Sequence, residues 1–286
     1  KIRELSPSAL VLERDELSAG YRLACQALPR SDLTIALDAP LLSQQAVKNY
    51  PATIVAATRL CPDIINLIVE LDRPLSFTPG QYADLSLPSI DAPRSYSFAF
   101  APKNGSAKQL QFHVRHVPGG AFTDWLFGGE RLGTQMEVAA PYGAFHLKPS
   151  KAPMLCIAGG SGLAPIMAIL QEARALGANR PVILLYGART KAHLYCLDEI
   201  SALAADWNAP FEFIPVLSEE SPDSPWEGAR GLVTQQIAEI PDRAQCEAYL
   251  CGPPAMVDLA EEVLLKAGVS RHAISADRFL DRSSAR

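Results

Sequence analysis

A glycine-rich segment in the middle of the chain has the residue types that a phosphate group requires. The apolar run Met154–Ala158 predicts a parallel strand that is buried on both faces. The turn that follows consists of Gly159, Gly160, Ser161, Gly162, Leu163, Ala164 and Pro165. Glycines let the backbone turn sharply against a pyrophosphate, and proline suits the first turn of a helix. The segment predicts a dinucleotide site at a helix N-terminus, although these residues alone also fit an ordinary tight turn.

A second group of reactive side chains lies upstream, at Arg94, Ser95, Tyr96 and Ser97. An arginine, a flat aromatic ring and a hydroxyl at alternating strand positions match the needs of a flavin. The guanidinium can pair with a pyrophosphate, the phenol ring can stack on the isoalloxazine, and the hydroxyl can donate a hydrogen bond near N5. The alternative is an ordinary strand edge with a half-buried tyrosine.

Other motifs flank this group in a fixed order. Phe77–Tyr82 reads F-T-P-G-Q-Y, and His113-Val114-Arg115, Gly119–Thr123 and Tyr249–Met256 follow downstream. In this order the chain resembles the ferredoxin–NADP reductase superfamily, specifically the reductase components of bacterial multicomponent oxygenases. The resemblance extends over roughly residues 50–280.

The resemblance implies a bound FAD and assigns residues to it. Arg94, Ser95, Tyr96 and Ser97 would hold the flavin, and His113, Val114 and Arg115 would line its pyrimidine side and phosphates. The backbone of Gly119 and Gly120 would cradle the diphosphate together with the hydroxyl of Thr123, acting as a helix N-cap where the family commonly has serine. The alternatives are a hairpin turn at the glycine pair and a solvated strand residue at Arg115.

The same resemblance supplies the nicotinamide side of the site. Cys251 would lie beside the reacting carbon, with Gly252, Pro253 and Met256 completing the turn. Asp277 would relay a proton toward Ser97, and Phe279 would cover the flavin. The expected catalytic residues are therefore Ser97, Cys251 and Asp277. The alternatives are a small buried cysteine and a surface aspartate on a last strand.

The residues that end the second predicted strand do not decide between NADH and NADPH. An acid there would hold a ribose 2′-OH, whereas an arginine would accept a 2′-phosphate. Gly187–Lys191 contains no acid, and Arg189 and Lys191 are compatible with a phosphate or with a solvated loop. Oxygenase reductases mostly use NADH, so NADH is expected and NADPH remains possible.

The first residues suggest a further domain in a longer parent protein. Gly20–Ala27 resembles the end of a plant-type ferredoxin domain, in which Cys25 would be a ligand of a 2Fe-2S cluster. Such a cluster also needs C-x4-C-x2-C upstream, and no cysteine precedes Cys25, so no cluster is expected in this chain alone. A coincidental match is the alternative. The expected divisions are a ferredoxin remnant (1–37), a linker (38–51), an FAD-binding domain (52–150) and an NAD(P)-binding domain (151–286).

Two different patterns of apolar residues along the chain predict the strands and helices that position these groups. Short strands such as Ala52–Val55, Asn66–Leu71 and Leu110–Arg115 predict an antiparallel β-barrel. After Pro153, strands and helices alternate, which predicts a doubly wound α/β domain with a parallel sheet. Its predicted strands are Met154–Ala158, Val182–Tyr186, Phe211–Val216 and Ala248–Cys251, and its predicted helices are Ile166–Leu176, Asp198–Leu203, Leu232–Ile237 and Ala255–Lys266.

Composition narrows the class of protein. The 286 residues suffice for two domains, and the net charge of −5 argues against a nucleic-acid partner. No apolar run is long enough to span a bilayer, and six cysteines without a disulfide-scaffold spacing predict a reducing cytoplasm. The histidines lack metal-ligand spacing, and Gly159–Leu163 is not the G-x-S-x-G turn of a serine hydrolase.

The expected function is that of an FAD-dependent NAD(P)H reductase. It would pass electrons singly, through the 2Fe-2S cluster of the parent, to an oxygenase or its ferredoxin, with an aromatic-ring dioxygenase system as the first expectation. The alternatives are a monooxygenase hydroxylase or a deoxysugar dehydratase as acceptor, or a non-catalytic subunit that keeps the flavin fold. The sequence does not indicate an oligomeric state.

Overall fold

The computed structural model describes residues 2–4, 17–18, 20–21, 27–32 and 46–279. The chain divides into two compact units, Lys1–Gln44 and Gln45–Arg286. In the first unit, strand β1 (Ile2–Glu4) pairs antiparallel with β2 (Ala27–Pro29). Cys25, the expected cluster ligand, lies outside the described residues. In the part of the chain that the structure describes, no helix is both long and apolar enough to cross a bilayer.

The second unit begins with an antiparallel sheet of six strands, in the spatial order β6-β5-β8-β3-β4-β7. Its elements are β3 (Lys48–Cys61), β4 (Ile64–Ser76), β5 (Tyr82–Ser86), β6 (Arg94–Ser97), β7 (Ser106–Arg115), helix α1 (Ala121–Phe127) and β8 (Gln135–Tyr142). A bridge between Phe98 and Phe112 links the chain after β6 to β7, so the two outer strands meet. Alternating side chains such as Leu67, Val69 and Val138 fill the interior. The predicted antiparallel barrel is confirmed.

The predicted linker extends too far toward the barrel. Strand β3 begins at Lys48, which pairs with Ala140, and Tyr50 is buried in the barrel core. The ladder to β4 begins only at Ala52, so Pro51 lies where the strand has a neighbour on one side. Proline is tolerated at such a position because its missing N–H removes no ladder hydrogen bond on the open side.

The α/β domain has a parallel sheet of six strands in the order β12-β11-β10-β9-β13-β14. Its elements are β9 (Met154–Gly159), α2 (Leu163–Ala175), β10 (Val182–Ala188), α3 (Leu197–Ala205), β11 (Phe211–Leu217), β12 (Ala229–Arg230), β13 (Glu247–Gly252), α4 (Pro254–Lys266) and β14 (Ile274–Arg278). Every residue of β9 and β13 is buried, as expected of central parallel strands. The predicted doubly wound domain is confirmed, although the prediction omits β12 and β14.

One predicted helix is wrong. Residues Val233–Glu239 form a 3-10 helix and not the α-helix predicted at Leu232–Ile237. The Gln235 side chain accepts a hydrogen bond from the Leu232 N–H and fixes a tight first turn. Pro241 follows directly and disfavours helical backbone at the residue before it, so the segment ends before an α-helix can develop.

The chain order of the strands creates a crevice at the centre of this sheet. Strand β9 is flanked by β10 on one side and by β13, from much later in the chain, on the other. The strand order therefore reverses at β9. Ligands of open parallel sheets bind at the carboxyl ends of the strands where the order reverses in this way. Both glycine motifs lie there, one after β9 and the other after β13.

The barrel and the α/β domain pack against each other within the second unit. Barrel residues Cys61 and Ile64 belong to the apolar cluster around α2, as does Phe145 from the connection between the domains. Gly80, in the F-T-P-G-Q-Y segment, has φ +97°, and a Cβ there would collide with the Phe145 carbonyl and lie 3.1 Å from the Ile169 side chain. The glycine is thus required by both its backbone conformation and its closest neighbours.

We expect Gly80→Ala to destabilise the protein more than Gly105→Ala. Both residues have positive φ, so each alanine incurs a conformational cost of about 1 kcal/mol. A Cβ at Gly105 meets nothing within 4 Å in the described structure, whereas a Cβ at Gly80 displaces backbone. The extra loss in the free energy of unfolding, about 1–3 kcal/mol from overpacking, is measured by urea denaturation. Equal losses for the two variants would contradict the close packing at Gly80.

Candidate active site at the junction of the two domains

The two glycine turns of the α/β domain fit into one another. A Cβ on Gly162 would overlap the Cys251 carbonyl, and a Cβ on Gly159 would collide with the Met256 side chain. Gly252 has φ +150°, and its own Cβ would lie 3.0 Å from the Gly159 carbonyl. The glycines therefore let the two turns meet at backbone distance, and Met256 packs in the space that they leave.

Helix α2 directs its amino end at this crevice. Gly162 occupies the N-cap position without a side-chain cap, and Leu163, Ala164 and Pro165 form the buried first turn. The first N–H groups of a helix have no partners within the helix and favour an anion. The predicted position of Pro165 in this first turn is confirmed, whereas the Leu163 and Ala164 side chains pack in the core.

The three expected catalytic residues come together at the junction of the domains. Parallel pairing of β13 with β14 places Cys251 opposite Asp277 at the carboxyl end of the sheet. The Asp277 carboxyl group also lies close enough to the Ser97 hydroxyl, at the end of strand β6 of the barrel, for that hydroxyl to lower its pKa. One carboxyl group therefore lies between a barrel hydroxyl and a thiol of the α/β domain.

Burial sets the protonation state of these groups. Desolvation raises the pKa of Asp277 to about 6, although the neighbouring Ser97 hydroxyl opposes the shift. Burial, with a smaller contribution from the Asp277 charge, raises the pKa of Cys251 far above its usual value. Cys251 is thus a neutral thiol at the crevice, while Asp277 changes charge close to physiological pH.

Tyr96 presents a flat, neutral ring. Its ring packs against Phe122 of α1, with centroids 5.5 Å apart. Burial raises the pKa of the phenol well above its usual value, so it stays protonated. A half-buried, uncharged aromatic surface of this kind suits stacking on a planar ring.

The other two members of that strand are engaged within the protein. The Arg94 guanidinium donates to the carbonyls of Asp91, Ala92 and Pro93 in the preceding turn. Ser95 donates to the Asp84 carboxylate at 2.6 Å, on the exposed side of the sheet. The role of Arg94 at a pyrophosphate stays a prediction, and it requires the guanidinium to exchange carbonyls for phosphate oxygens.

The prediction that Thr123 is an N-cap is wrong. Gly120 is the N-cap of α1, and Thr123 lies inside its first turn, nearly buried. The Thr123 hydroxyl donates to the Val117 carbonyl at 2.9 Å and accepts from the Val117 N–H at 3.1 Å. It therefore braces the loop that carries Gly119 and Gly120. Gly119 has φ +78°, and a Cβ there would meet nothing within 4 Å of the described protein, so its backbone faces open space.

Strand β7 divides its three predicted residues between two faces. Val114 points into the barrel core, so only its backbone can reach a ligand. His113 points outward and packs edge-on against Tyr195 of the α/β domain, with ring centroids 5.2 Å apart. Arg115, exposed at the end of the strand, lies close to Gly160, and a Cβ on that glycine would be 4.0 Å from its side chain.

His113 has an unusual environment. Both ring nitrogens are buried and have no hydrogen-bond partner among the described residues. Burial lowers its pKa to about 4, so the imidazole is neutral. Buried polar groups nearly always find a partner, and this pair of nitrogens is therefore suited to a bound polar group.

Tyr195 is a site residue that sequence reasoning missed. It is buried beside His113, and its hydroxyl donates to the Gly160 carbonyl at 3.2 Å. Gly160 has φ +53° within the phosphate turn, so this bond holds the turn in its unusual backbone conformation. Tyr195 belongs to no recognisable motif and lies 35 positions from its partner, so nothing in the sequence indicates this contact.

The remaining predicted residues lie at the edges of the crevice. The Phe279 N–H donates to the Gly252 carbonyl at 2.9 Å, and its side chain packs on the apolar cluster of the α/β domain. Pro253 is the N-cap of α4. Arg189, just after β10, does not extend freely into solvent but pairs with Asp63 of the barrel at 2.7 Å.

These residues fit an FAD. The unpartnered His113 nitrogens, the open backbone at Gly119, the neutral Tyr96 ring and the Ser97 hydroxyl are the surroundings that a polar, planar cofactor with a diphosphate needs. The N-terminus of α2 is a separate position for a second dinucleotide, although the Leu163 N–H already donates to the Gly160 carbonyl and Pro165 has no N–H.

We expect Asp277→Asn to gain stability relative to the wild type as pH rises from about 4 to about 7. The folded-state pKa of about 6 exceeds the unfolded value of 3.8, so the native state binds more protons in this window and loses stability as it deprotonates. The two-unit difference sets an upper limit of about 3 kcal/mol, and the asparagine variant lacks this loss. Urea unfolding at a series of pH values measures it. A stability difference between Asp277→Asn and the wild type that does not change with pH would contradict the raised pKa of Asp277. So would the same pH dependence in Asp91→Asn, a control variant in an exposed turn.

Comparisons with known proteins agree with this division of the chain. The oxidoreductase FAD-binding domain family matches residues 51–147, and the oxidoreductase NAD-binding domain family matches residues 156–262. The xylene/toluene monooxygenase electron transfer component of Pseudomonas putida is 48% identical, over 99% of this chain and 80% of its own length. The naphthalene 1,2-dioxygenase system reductase component of Pseudomonas putida is 36% identical, over 91% of this chain and 78% of its own length.

A solved structure shows the same architecture. The crystal structure of the Amycolatopsis cytochrome P450 reductase GcoB superposes with a TM-score of 0.78 at 33% identity, and the alignment covers 98% of this chain and 84% of that one. Cys25 lies ahead of both family matches. With its barrel, its α/β domain and the junction between them, the chain belongs to the FAD- and NAD-binding oxidoreductases of the ferredoxin–NADP reductase superfamily, the family of the reductase components of aromatic monooxygenase and dioxygenase systems.

Proposed function

We propose that this enzyme is the reductase component of an aromatic-hydrocarbon oxygenase system. It takes reducing equivalents from NADH and delivers electrons one at a time to an oxygenase component or to its ferredoxin. The observation that carries the proposal is the meeting of Ser97, Asp277 and Cys251 across the domain junction. Electrons can pass between a dinucleotide bound by the barrel and one bound by the parallel sheet only if the reactive rings of the two dinucleotides meet.

The residues have separate tasks in this reaction. When bound, FAD supplies the ability to accept two electrons together and release them singly. Arg94, Arg115 and the Gly119–Gly120 backbone would hold its diphosphate, and Tyr96 would support its ring. Cys251, a small neutral thiol with no exposed surface, keeps water and charge away from the nicotinamide position.

Ser97 and Asp277 form the proton-handling pair. The carboxyl group lies beside the Ser97 hydroxyl, and its pKa of about 6 lets it hold or release a proton near neutral pH. Ser97 is nearly buried, so a proton at its Oγ exchanges most directly with Asp277. We therefore propose that Asp277 receives or supplies the Ser97 proton.

Among the acceptor classes, the comparisons favour a monooxygenase. The relative named for xylene and toluene monooxygenase is 48% identical, against 36% for the relative named for naphthalene dioxygenase. A 2Fe-2S cluster in a longer parent, with Cys25 as one ligand, would be the exit for single electrons. The five cysteines of the described part are free thiols, which supports a reducing compartment such as the cytoplasm.

We expect the purified protein to be yellow, to lose this colour when NADH is added without oxygen, and to reduce ferricyanide. Ser97→Ala should slow reduction by NADH at least roughly tenfold, while the flavin content is unchanged. Ser201→Ala removes an exposed hydroxyl that donates to the Leu197 carbonyl in α3, outside the site, and is the control. A colourless protein that binds neither FAD nor reduced nicotinamide would refute the proposal. A yellow protein without turnover would favour the regulatory subunit.

We expect Tyr195→Phe to raise the KM for NADH about three- to tenfold, the effect of one lost hydrogen bond, with kcat and flavin content nearly unchanged. The reason is that the phenol hydroxyl fixes the Gly160 carbonyl in the phosphate turn. Tyr249→Phe is a control, because the Tyr249 hydroxyl accepts the Lys148 N–H at 2.9 Å rather than bonding the phosphate turn. An unchanged KM in Tyr195→Phe would show that the turn holds its conformation without this bond.

A further inference from the structure

A carboxylate of the barrel reaches the edge of the α/β domain where a coenzyme ribose binds. Asp63 lies in the tight turn between β3 and β4, and its Oδ2 accepts a hydrogen bond from Arg189 Nη2 at 2.7 Å. Arg189 directly follows β10, the second strand of the nucleotide sheet in chain order. In sheets of this kind the residues at that strand end face the ribose 2′ position of the bound dinucleotide.

Asp63 is held in place by contacts to its carboxylate and to the backbone of its turn. The Cys61 thiol donates to its other oxygen, Oδ1, at 3.3 Å. The Asp63 carbonyl accepts the His116 N–H at 2.8 Å, and Arg59 donates to the adjacent Pro62 carbonyl at 2.6 Å. With 22% of its side chain exposed, Asp63 is a positioned acceptor and not a mobile surface group.

The other hydrogen of Arg189 Nη2 is also committed. This nitrogen lies 2.9 Å from His193 Nε2, and His193 Nδ1 lies 2.8 Å from the Thr190 hydroxyl. An arginine can only donate, so Nε2 is the acceptor and the imidazole proton is on Nδ1, which donates to Thr190. Asp63 and His193 together fix the direction of the guanidinium.

The rest of this edge carries charges of both signs. The Lys191 N–H donates to the Glu220 carboxylate at 2.7 Å, and the Glu219 N–H donates to the Arg189 carbonyl at 2.7 Å. The loop after β11 thereby places the Glu220 carboxylate beside the residues that follow β10. The cations Lys191 and Arg230 lie near this carboxylate and lower its pKa, whereas Arg189 is paired with Asp63.

We propose that Asp63 makes this reductase select NADH over NADPH by neutralising and directing Arg189. The inference rests on the proposed function, because it concerns the coenzyme of that same site. A 2′-phosphate is a dianion or close to it and needs a free cation, whereas a 2′-hydroxyl does not. With Arg189 paired to Asp63, a 2′-phosphate has to compete with a carboxylate for this guanidinium. The specificity residue thus comes from the flavin domain, not from the nucleotide domain.

The test compares the holoenzyme with Asp63→Asn, which keeps the side-chain shape and removes the charge. We expect the ratio of kcat/KM for NADPH to that for NADH to rise roughly fivefold, the size expected for a half-exposed ion pair. Asp63→Glu keeps the charge and should keep the wild-type coenzyme preference. The double variant Asp63→Asn with Arg189→Gln should not show the rise in the ratio that Asp63→Asn shows alone. Asp72→Asn is the matched control, because Asp72 forms an exposed pair with Arg73 at the same 2.7 Å distance elsewhere on the barrel.

A binding measurement separates recognition from turnover. Calorimetry with adenosine 2′,5′-bisphosphate and with 5′-AMP should show a gain of roughly fivefold for the bisphosphate alone in Asp63→Asn. Equal changes for both probes, an unchanged coenzyme ratio, or the same shift in Asp72→Asn would overturn the inference. Each of these results leaves NADH oxidation by the wild type intact, whereas a wild type that oxidises neither coenzyme refutes the proposed function itself.

Discussion

The contact between Ser97 and Asp277 is the interaction on which the candidate site depends, because its two partners come from different domains. Ser97 ends a barrel strand, and Asp277 lies on the last strand of the parallel sheet. A small rotation of one domain against the other would separate them. The apolar packing of Cys61, Ile64 and Phe145 against the α2 cluster prevents such a rotation and thereby sets the geometry of the site.

Several features of the junction serve this one requirement. Gly80 lets the barrel approach the connecting segment at backbone distance, and Gly162 does the same between the two turns of the α/β domain. Tyr195 ties the phosphate turn to the neighbourhood of His113, and Asp63 ties the end of β10 to the barrel. These contacts include close backbone packing, a ring contact, a hydrogen bond and an ion pair. The positions of both dinucleotides therefore depend on the same packing of the two domains.

The sequence predicts those parts of the structure that depend on local signals. The buried strand before Gly159, the first helical turn at Pro165 and the alternation of the barrel strands each depend on neighbouring residues, and all are confirmed. The segment Gly119–Thr123 shows the limit, because several of its residues suit a helix start and only the packing of Thr123 on Val117 selects Gly120 as the N-cap. The start of β3 at Lys48 was similarly concealed by polar residues and a proline.

Contacts between distant positions are the part that one sequence does not reveal. Arg189 by itself indicates a phosphate-binding cation, and its meaning changes only because Asp63 lies 126 positions earlier in the chain and beside it in space. Tyr195 likewise becomes a site residue only through the fold.

The most direct test of this account is a crystal structure of the flavin-loaded protein with bound NAD⁺. We predict that the nicotinamide C4 lies about 3–3.5 Å from the flavin N5, with Ser97 in contact with the flavin and the nicotinamide at the carboxyl end of β13, next to Cys251. Rings held apart in separate pockets, with Ser97 and Asp277 no longer in contact, would contradict it.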